Sequence, residues 1–267
     1  VGRGRIMTVP VHIGGNVRDF VFDTGAAQFN FVSERFAREN GIRMIADSIP
    51  VAGIGRGWVG LGVADSLAVG GIVMRNPVFL ISPPDQVTDT IEVISAVLGN
   101  AFMRKAERFT IDNRTRHIVF PAERTLHADG TERMANMMLN SFQPYVRIHA
   151  DGIPLLFHFD TGNVATTLYP PYYELFREQV DSCGVEDTVR IGGFAGVAEN
   201  VCYRLPSVEF TLEGIPFTLR DIDVLPSGSA GATAGSEAGS LGTDFATAFD
   251  TLTVDYTSCT VRGENVP

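Results

Sequence analysis

The sequence predicts a mainly β protein with a few short helices, built as two related halves of one chain. Three observations point there. The tract Val21-Phe22-Asp23-Thr24-Gly25 returns as His158-Phe159-Asp160-Thr161-Gly162. A second tract, Ala96-Val97-Leu98-Gly99-Asn100-Ala101-Phe102, returns in the same order as Gly239-Ser240-Leu241-Gly242-Thr243-Asp244-Phe245. Short alternating apolar runs with glycine turns lie between them, the pattern of a closed or sandwiched β-fold. The register continues past the second tract. Phe109-Thr110-Ile111-Asp112 aligns with Leu252-Thr253-Val254-Asp255, and the step from Gly99 to Asp112 equals that from Gly242 to Asp255. Such self-similarity marks a duplicated architecture.

The elements follow in chain order. Met7 to Ile13 and Val17 to Phe22 read as strands joined through Gly14-Gly15-Asn16, and Tyr145 to His149 and Ile153 to Phe159 as their counterparts joined through Ala150-Asp151-Gly152. Both connections suit hairpin turns. Ser33 is placed to cap a helix over Glu34 to Asn40, with Gly41 as its stop. Tyr172 to Gln179 is the matching helical segment, and short helical turns are expected after Gly99 and Gly242. Leu67 to Val69 with Ile72 to Ile81, and Val208 to Leu212 with Ile215 to Leu219, supply further strands. Residues 1–121 and 141–267 are read as the two halves, with the polar, poorly periodic stretch 122–140 as the linker. The Gly/Ser/Ala/Thr-rich stretch Ser227 to Ser240 reads as a surface loop, because it has too little apolar area to order itself; it lies close enough in sequence to Leu241-Gly242 to raise the question of whether it gates a site.

Composition narrows the function. Apolar residues make up 45% and charged residues 19%, as in an ordinary folded domain. A net charge of −10, spread without acidic runs, disfavours nucleic acid as a partner. No stretch reaches the ~18 consecutive apolar residues of a membrane-spanning helix. Cys183, Cys202 and Cys259 form no CxxC pair, and His12, His117, His127 and His149 have no ligand spacing, so no metal or organic cofactor is expected. Cys183 and Cys202 are the closer pair should a disulfide form; three separate thiols fit equally. The opening Val1-Gly2-Arg3-Gly4 carries no secretory signal, and the compartment is left open, with the periplasm or an extracellular space favoured.

The chemistry resides in the repeated tract. A single Asp-Thr-Gly is an ordinary turn. Two copies, each ending an apolar strand, allow two carboxylates to meet about a pseudo-twofold axis. Like charges so placed cannot both ionise, so they share a proton, one serving as base and one as acid. In this respect the chain resembles the aspartic peptidases, both the bilobal pepsin family and the retropepsin family, over nearly its whole length. The resemblance implies the bilobal acid-protease fold, Asp23 and Asp160 as the catalytic pair, Thr24 and Thr161 as cross-links between the two loops, and Gly25 and Gly162 as points of close backbone approach. It places Leu98-Gly99 and Leu241-Gly242 behind those loops. The activity implied is hydrolysis of peptide bonds in an extended polypeptide; a monomer suffices, and a silent peptide-binding protein of the same fold is the rival. Pepsin-like enzymes carry hydroxyl residues after the triplet, whereas this chain has Ala26-Ala27 and Asn163-Val164. Asp-Thr-Gly-Ala and the short halves are similar to retropepsins, and loss of hydroxyl donors to the pair predicts a mildly acidic optimum.

The same resemblance implies glycine-tipped hairpin flaps. Gly53-Ile54-Gly55 with Trp58 occupies the first flap position and Gly193-Phe194 the second; Val51 to Gly57 lacks the flap tyrosine of pepsins, for which Trp58 is the candidate substitute. Strand alternation turns Val21 with Asp23 and His158 with Asp160, so both are expected to line the cleft. A histidine there serves a polar substrate side chain, the tuning of the pair, or simply a backbone carbonyl.

Overall fold

The computed structural model describes residues 5–53, 55–82, 95–121, 134–193, 196–226, 228–229 and 235–265. The protein is mainly β, with short helices, as the alternating runs require. In the first half, β1 (Thr8–Ile13) and β2 (Asn16–Phe22) form the expected hairpin, followed by β3 (Asn30–Ser33). Then come β4 (Arg43–Gly53), β5 (Gly55–Val63), β6 (Ser66–Val69) and β7 (Ile72–Arg75). β8 (Val78–Ser82) and β9 (Ala96–Leu98) complete a nine-stranded sheet in the order β4-β5-β8-β3-β9-β2-β1-β6-β7.

The second half repeats the plan. It contains β12 (Met137–Asn140), β13 (Gln143–Ala150), β14 (Ile153–Phe159) and β15 (Thr167–Leu168). It continues with β16 (Val185–Gly193), β17 (Gly196–Leu212), β18 (Ile215–Val224) and β19 (Gly239–Leu241). Counted from its β16 edge, this sheet runs β16-β17-β18-β15-β19-β14-β13-β12, the order of the first through β13, beyond which β12 takes the place of β6 and β7. β17 spans the counterparts of both β5 and β6, so it also meets β13 at His149↔Thr211, as β6 meets β1 at His12↔Ala68.

Four further strands join the halves. β10 (Arg108–Asp112) and β11 (His117–Val119) come from the first half, and β20 (Thr251–Asp255) and β21 (Thr260–Glu264) from the second. They form one sheet in the order β11-β10-β20-β21. Its centre pairs Thr110 with Thr253, the residues aligned by the repeat, with their hydroxyls 2.8 Å apart. The register is symmetric about that pair, with Phe109 opposite Val254 and Ile111 opposite Leu252. A buried cluster runs through both halves and this central sheet. Phe22 and Phe159, each one residue before an aspartate, meet Phe109 and Phe245 edge-on at 4.9 and 5.3 Å. Burial of each ring is worth roughly 1.5–3 kcal/mol, which holds the strand ends rigid.

The helices are short: α1 (Glu34–Glu39), α2 (Asn100–Ala106), α3 (Pro170–Leu175), α4 (Arg177–Cys183) and α5 (Thr243–Ala246). Ser33 caps α1 by accepting the Phe36 N–H at 3.1 Å, and Gly41 follows with φ +70°. The segment expected over Tyr172 to Gln179 is instead two helices broken at Phe176. The first starts at Pro170, since proline suits a first helical turn. Met137–Asn140, read as linker, pairs with β13; its alternation is hidden among polar neighbours. The end of the presumed surface loop is likewise not loop: Ala238 to Ser240 are buried, and Gly239–Leu241 is inserted between β14 and β15. Two backbone neighbours supplied the order that its composition could not. All three cysteines are free thiols, so Cys183 and Cys202 form no bridge.

Candidate active site

Each Asp-Thr-Gly turn begins where a buried strand ends. β2 runs parallel to β9 with Phe22 opposite Leu98, and β14 parallel to β19 with Phe159 opposite Leu241. The Leu98 carbonyl accepts the Asp23 N–H at 3.1 Å, and the Leu241 carbonyl accepts that of Asp160 at 2.9 Å. Leu98 and Leu241 are wholly buried behind the turns. Gly99 and Gly242 stand where the turn backbones press closest. A Cβ at Gly99 would overlap the Phe29 carbonyl, and one at Gly242 would lie 2.7 Å from the Ala165 carbonyl carbon.

The two turns interlock. Thr24 Oγ1 donates to the Phe159 carbonyl at 2.7 Å, and Thr161 Oγ1 donates to the Phe22 carbonyl at 2.6 Å. Each hydroxyl also accepts the backbone N–H of the opposite threonine at 3.0 Å. Both threonines are fully buried, so the four bonds form away from water, where an unmade one costs about 1–3 kcal/mol. Each glycine then abuts the opposite carboxylate. A Cβ at Gly162 would lie 2.7 Å from the Asp23 carboxyl carbon, and one at Gly25 would overlap the Asp160 carboxyl. Only glycine allows this crossing.

Asp23 and Asp160 are thereby brought within hydrogen-bonding reach of one another. Asp23 Oδ1 accepts the N–H groups of Gly25 at 2.7 Å and Ala26 at 3.0 Å. Asp160 Oδ1 accepts the Gly162 N–H at 2.9 Å, and its Oδ2 accepts Asn163 Nδ2 at 2.8 Å. Burial pushes Asp23 above the ordinary carboxylate range, and the Asp160 charge and hydrogen bond push it further. Burial also raises Asp160, but hydrogen bonds from Asp23, Gly162 and Asn163 oppose that rise. The pair titrates together, its apparent values belonging to both carboxyls rather than to either one. One side chain replaces the expected missing hydroxyls: Asn163 donates to Asp160, whereas Asp23 is met by the backbone N–H groups of Gly25 and Ala26.

Several supports were not singled out in the sequence. Asn100 Nδ2 donates to the carbonyls of Thr24 at 2.6 Å and Ala26 at 2.8 Å, and Gln143 Nε2 donates to that of Gly25. All three carbonyls after Asp23 are thus tied down. Asn100 Oδ1 in turn accepts the Tyr256 hydroxyl at 2.7 Å, a strut from the second half. The repeat partner of Tyr256 is Asn113, which reaches the other way to the carbonyls of Ala246 and Phe249. Asn30 Oδ1 accepts the Gly99 N–H at 3.0 Å, and Thr166 Oγ1 accepts that of Gly242 at 3.1 Å. The only sequence signal was position: Asn100 lies inside, and Tyr256 immediately after, tracts that match between the halves.

The remaining expected residues divide. Val21 is buried in an apolar patch with Ala26 and Val97. His158 lies with its Nδ1 3.5 Å from Ser240 Oγ and its ring 5.2 Å from that of Tyr145; its Nε2 is buried without a hydrogen-bond partner. Gly53 pairs with Gly55 at the tip of the β4–β5 hairpin, and Gly193 with Gly196 at the tip of β16–β17. Ile54 and Phe194 lie outside the described residues. Trp58 is exposed and lines a cavity of about 200 Å³ with Glu34, Met44 and Ile81, a lining that includes neither aspartate. Among the described residues no group of three or more His, Cys, Asp or Glu gathers as a metal site.

Comparison with curated proteins gave no match. Residues 9–102 match the family model described as aspartyl protease. The matched span runs from β1 into α2 and contains both Asp23-Thr24-Gly25 and Leu98-Gly99. Over that span the chain is similar to the aspartyl protease family.

Proposed function

We propose that this chain is a single-chain, retropepsin-like aspartic endopeptidase whose active site is shared between residues 1–121 and 141–267. The observation that carries the reading is the reciprocal threonine lock, which sets each glycine against the opposite carboxylate and holds the two acids in one proton-sharing pair. The ionised member of the Asp23–Asp160 pair takes a proton from a water held between the carboxyl groups, and the protonated member donates its proton to the scissile carbonyl oxygen. The resulting hydroxide adds to the carbonyl carbon, and the tetrahedral diol collapses as the amine leaves with a proton. No acyl-enzyme forms. The glycine-tipped hairpins β4–β5 and β16–β17 serve as flaps over an extended peptide, which is bound by main-chain hydrogen bonds with pockets for alternate side chains.

The test is cleavage of an unfolded protein from pH 3 to pH 7 by the wild type, Asp23→Asn and Asp160→Asn. Cleavage by the wild type, lost in both variants, supports the reading. Activity surviving in either variant rejects a two-carboxylate mechanism.

A further inference from the structure

Three positions beside the aspartates carry opposite chemistry in the two halves. They stand two residues before each aspartate, three residues after it, and just before each Leu-Gly. In the first half they are Val21, Ala26 and Val97, and in the second His158, Asn163 and Ser240. Strand register sets the first and last of each set opposite one another, Val21 against Val97 and His158 against Ser240. Val21, Ala26 and Val97 pack as one small apolar cluster. Their counterparts instead form a line of polar contacts that ends on the carboxyl pair. Asn163 Nδ2 donates to Asp160 Oδ2 at 2.8 Å and lies 3.5 Å from Ser240 Oγ, which lies 3.5 Å from His158 Nδ1.

The direction of the line follows from its donors. An amide nitrogen only donates, so Ser240 Oγ accepts from Asn163 and its own proton is left for His158 Nδ1. A neutral ring with its proton on Nε2 meets that need. Burial holds His158 below its ordinary value, against the pull of the Asp23 and Glu237 charges, which keeps the ring neutral near pH 7. Its Nε2 is buried without a partner, so among the described residues the ring's one hydrogen-bond contact is with Ser240. Two phenols also face this line. Tyr145 lies opposite His158 on β13, with ring centres 5.2 Å apart, and Tyr169, at the start of α3, has its hydroxyl within reach of Ser240. Burial raises both, Tyr169 to about 12, so neither titrates between pH 3 and pH 8. The two contacts to Ser240 are long for hydrogen bonds. Such contacts in a free enzyme tighten in the substrate complex, and Ser240, only 3% exposed, is shielded from competing water.

We propose that His158 and Ser240 are positioning residues for the carboxyl pair, holding the Asn163 amide on Asp160 Oδ2 through a side-chain relay that the first half lacks. A donor fixed on a carboxylate favours its ionised form, so the relay keeps the first ionisation of the pair low. It rests on the peptidase reading for its catalytic meaning, but its first readout needs no catalysis. Carbon-13 NMR of the aspartate carboxyls follows the pair from pH 3 to pH 8 in the wild type, Ser240→Ala, His158→Val, His158→Asn and Asn163→Ala, with kcat and KM for one peptide measured alongside. Ser240→Ala, His158→Val and Asn163→Ala should each move the pair's titration up by at least about half a pH unit. Where the wild type cleaves, kcat should fall at least about threefold with KM held. His158→Asn should recover most of the His158→Val loss, because its side-chain oxygen stands in for Nδ1 as an acceptor yet cannot become charged. Adding Ser240→Ala to Asn163→Ala should change nothing further, since both act through one contact. An unmoved titration in Ser240→Ala or His158→Val, an unchanged kcat in a cleaving enzyme, no recovery in His158→Asn, or additive effects in the double variant overturns the relay. The expected titrations without wild-type cleavage overturn the peptidase reading and leave the relay standing.

Discussion

Replacing Asp23 by asparagine should destroy activity and stabilise the fold at neutral pH. Asparagine keeps the Oδ1 that accepts the Gly25 and Ala26 N–H groups, and turns an amide donor towards Asp160. It removes the group whose ionisation is opposed by burial and by the neighbouring charge. A carboxyl whose folded pKa lies above its unfolded value near 3.8 weakens the fold as pH rises through the interval between the two, and has no effect below it. A tenfold difference in proton affinity between the folded and unfolded chain corresponds to about 1.4 kcal/mol. Two like charges in hydrogen-bond contact repel by roughly 4 kcal/mol at an effective dielectric near 20. The variant should thus gain about 1.4–4 kcal/mol at pH 7, a rise in Tm of roughly 2–4 °C per kcal/mol for a chain somewhat larger than 250 residues. Urea unfolding of wild type and variant at pH 3, 5 and 7 measures it. The gain should grow from near zero at pH 3 through pH 5 to pH 7, still short of the upper end of the interval, since Asp23 is pushed up to about 8. A variant no more stable than wild type at pH 7 would refute the claim that burial and the neighbouring charge strain the pair.

Other consequences follow from the contacts around the turns. Thr161→Val leaves the Phe22 carbonyl and Thr24 N–H unpaired where no water reaches; it should cost about 2–5 kcal/mol in chemical unfolding, whereas Thr161→Ser recovers most of that loss. Gly25→Ala forces a methyl group into the Asp160 carboxyl and should abolish turnover, with circular dichroism showing that the β-structure survives. Tyr256→Phe strips Asn100 of its buried donor and should lower stability by about 1–3 kcal/mol. Because that strut ends on the Asp23 turn, kcat should fall while KM holds, and a fall in neither would mark it as purely structural packing.

The parts legible in the sequence were those that the duplication wrote twice. The strand–Asp-Thr-Gly and Leu-Gly tracts located both turns, and their order anticipated two matching sheets. The support of the Asp23 turn was not legible, because it is built where the copies differ: Asn100 against Thr243, Tyr256 against Asn113. Such contacts link residues more than 70 positions apart and leave no local pattern. The length of β17 was hidden by Pro206. Proline lacks a ladder donor, and here the β17–β18 ladder steps from Leu205↔Ile222 to Ser207↔Arg220 while Asp221, opposite the proline, adopts φ +54°. The reading of Ser227 to Ser240 as loop failed at its end because glycine and alanine suit a strand wedged between two others, as Gly239 shows: a Cβ there would lie 3.1 Å from the Leu168 Cα.

The most direct test of a shared carboxyl pair is the pH dependence of kcat/KM for one cleaved peptide between pH 3 and pH 8, with Asp23→Asn and Asp160→Asn alongside. The account predicts a bell with its maximum in the mildly acidic range, because catalysis needs one carboxyl protonated and one ionised, and no measurable rate in either variant. A profile that keeps rising to pH 8, or a variant that retains a bell of its own, would contradict it.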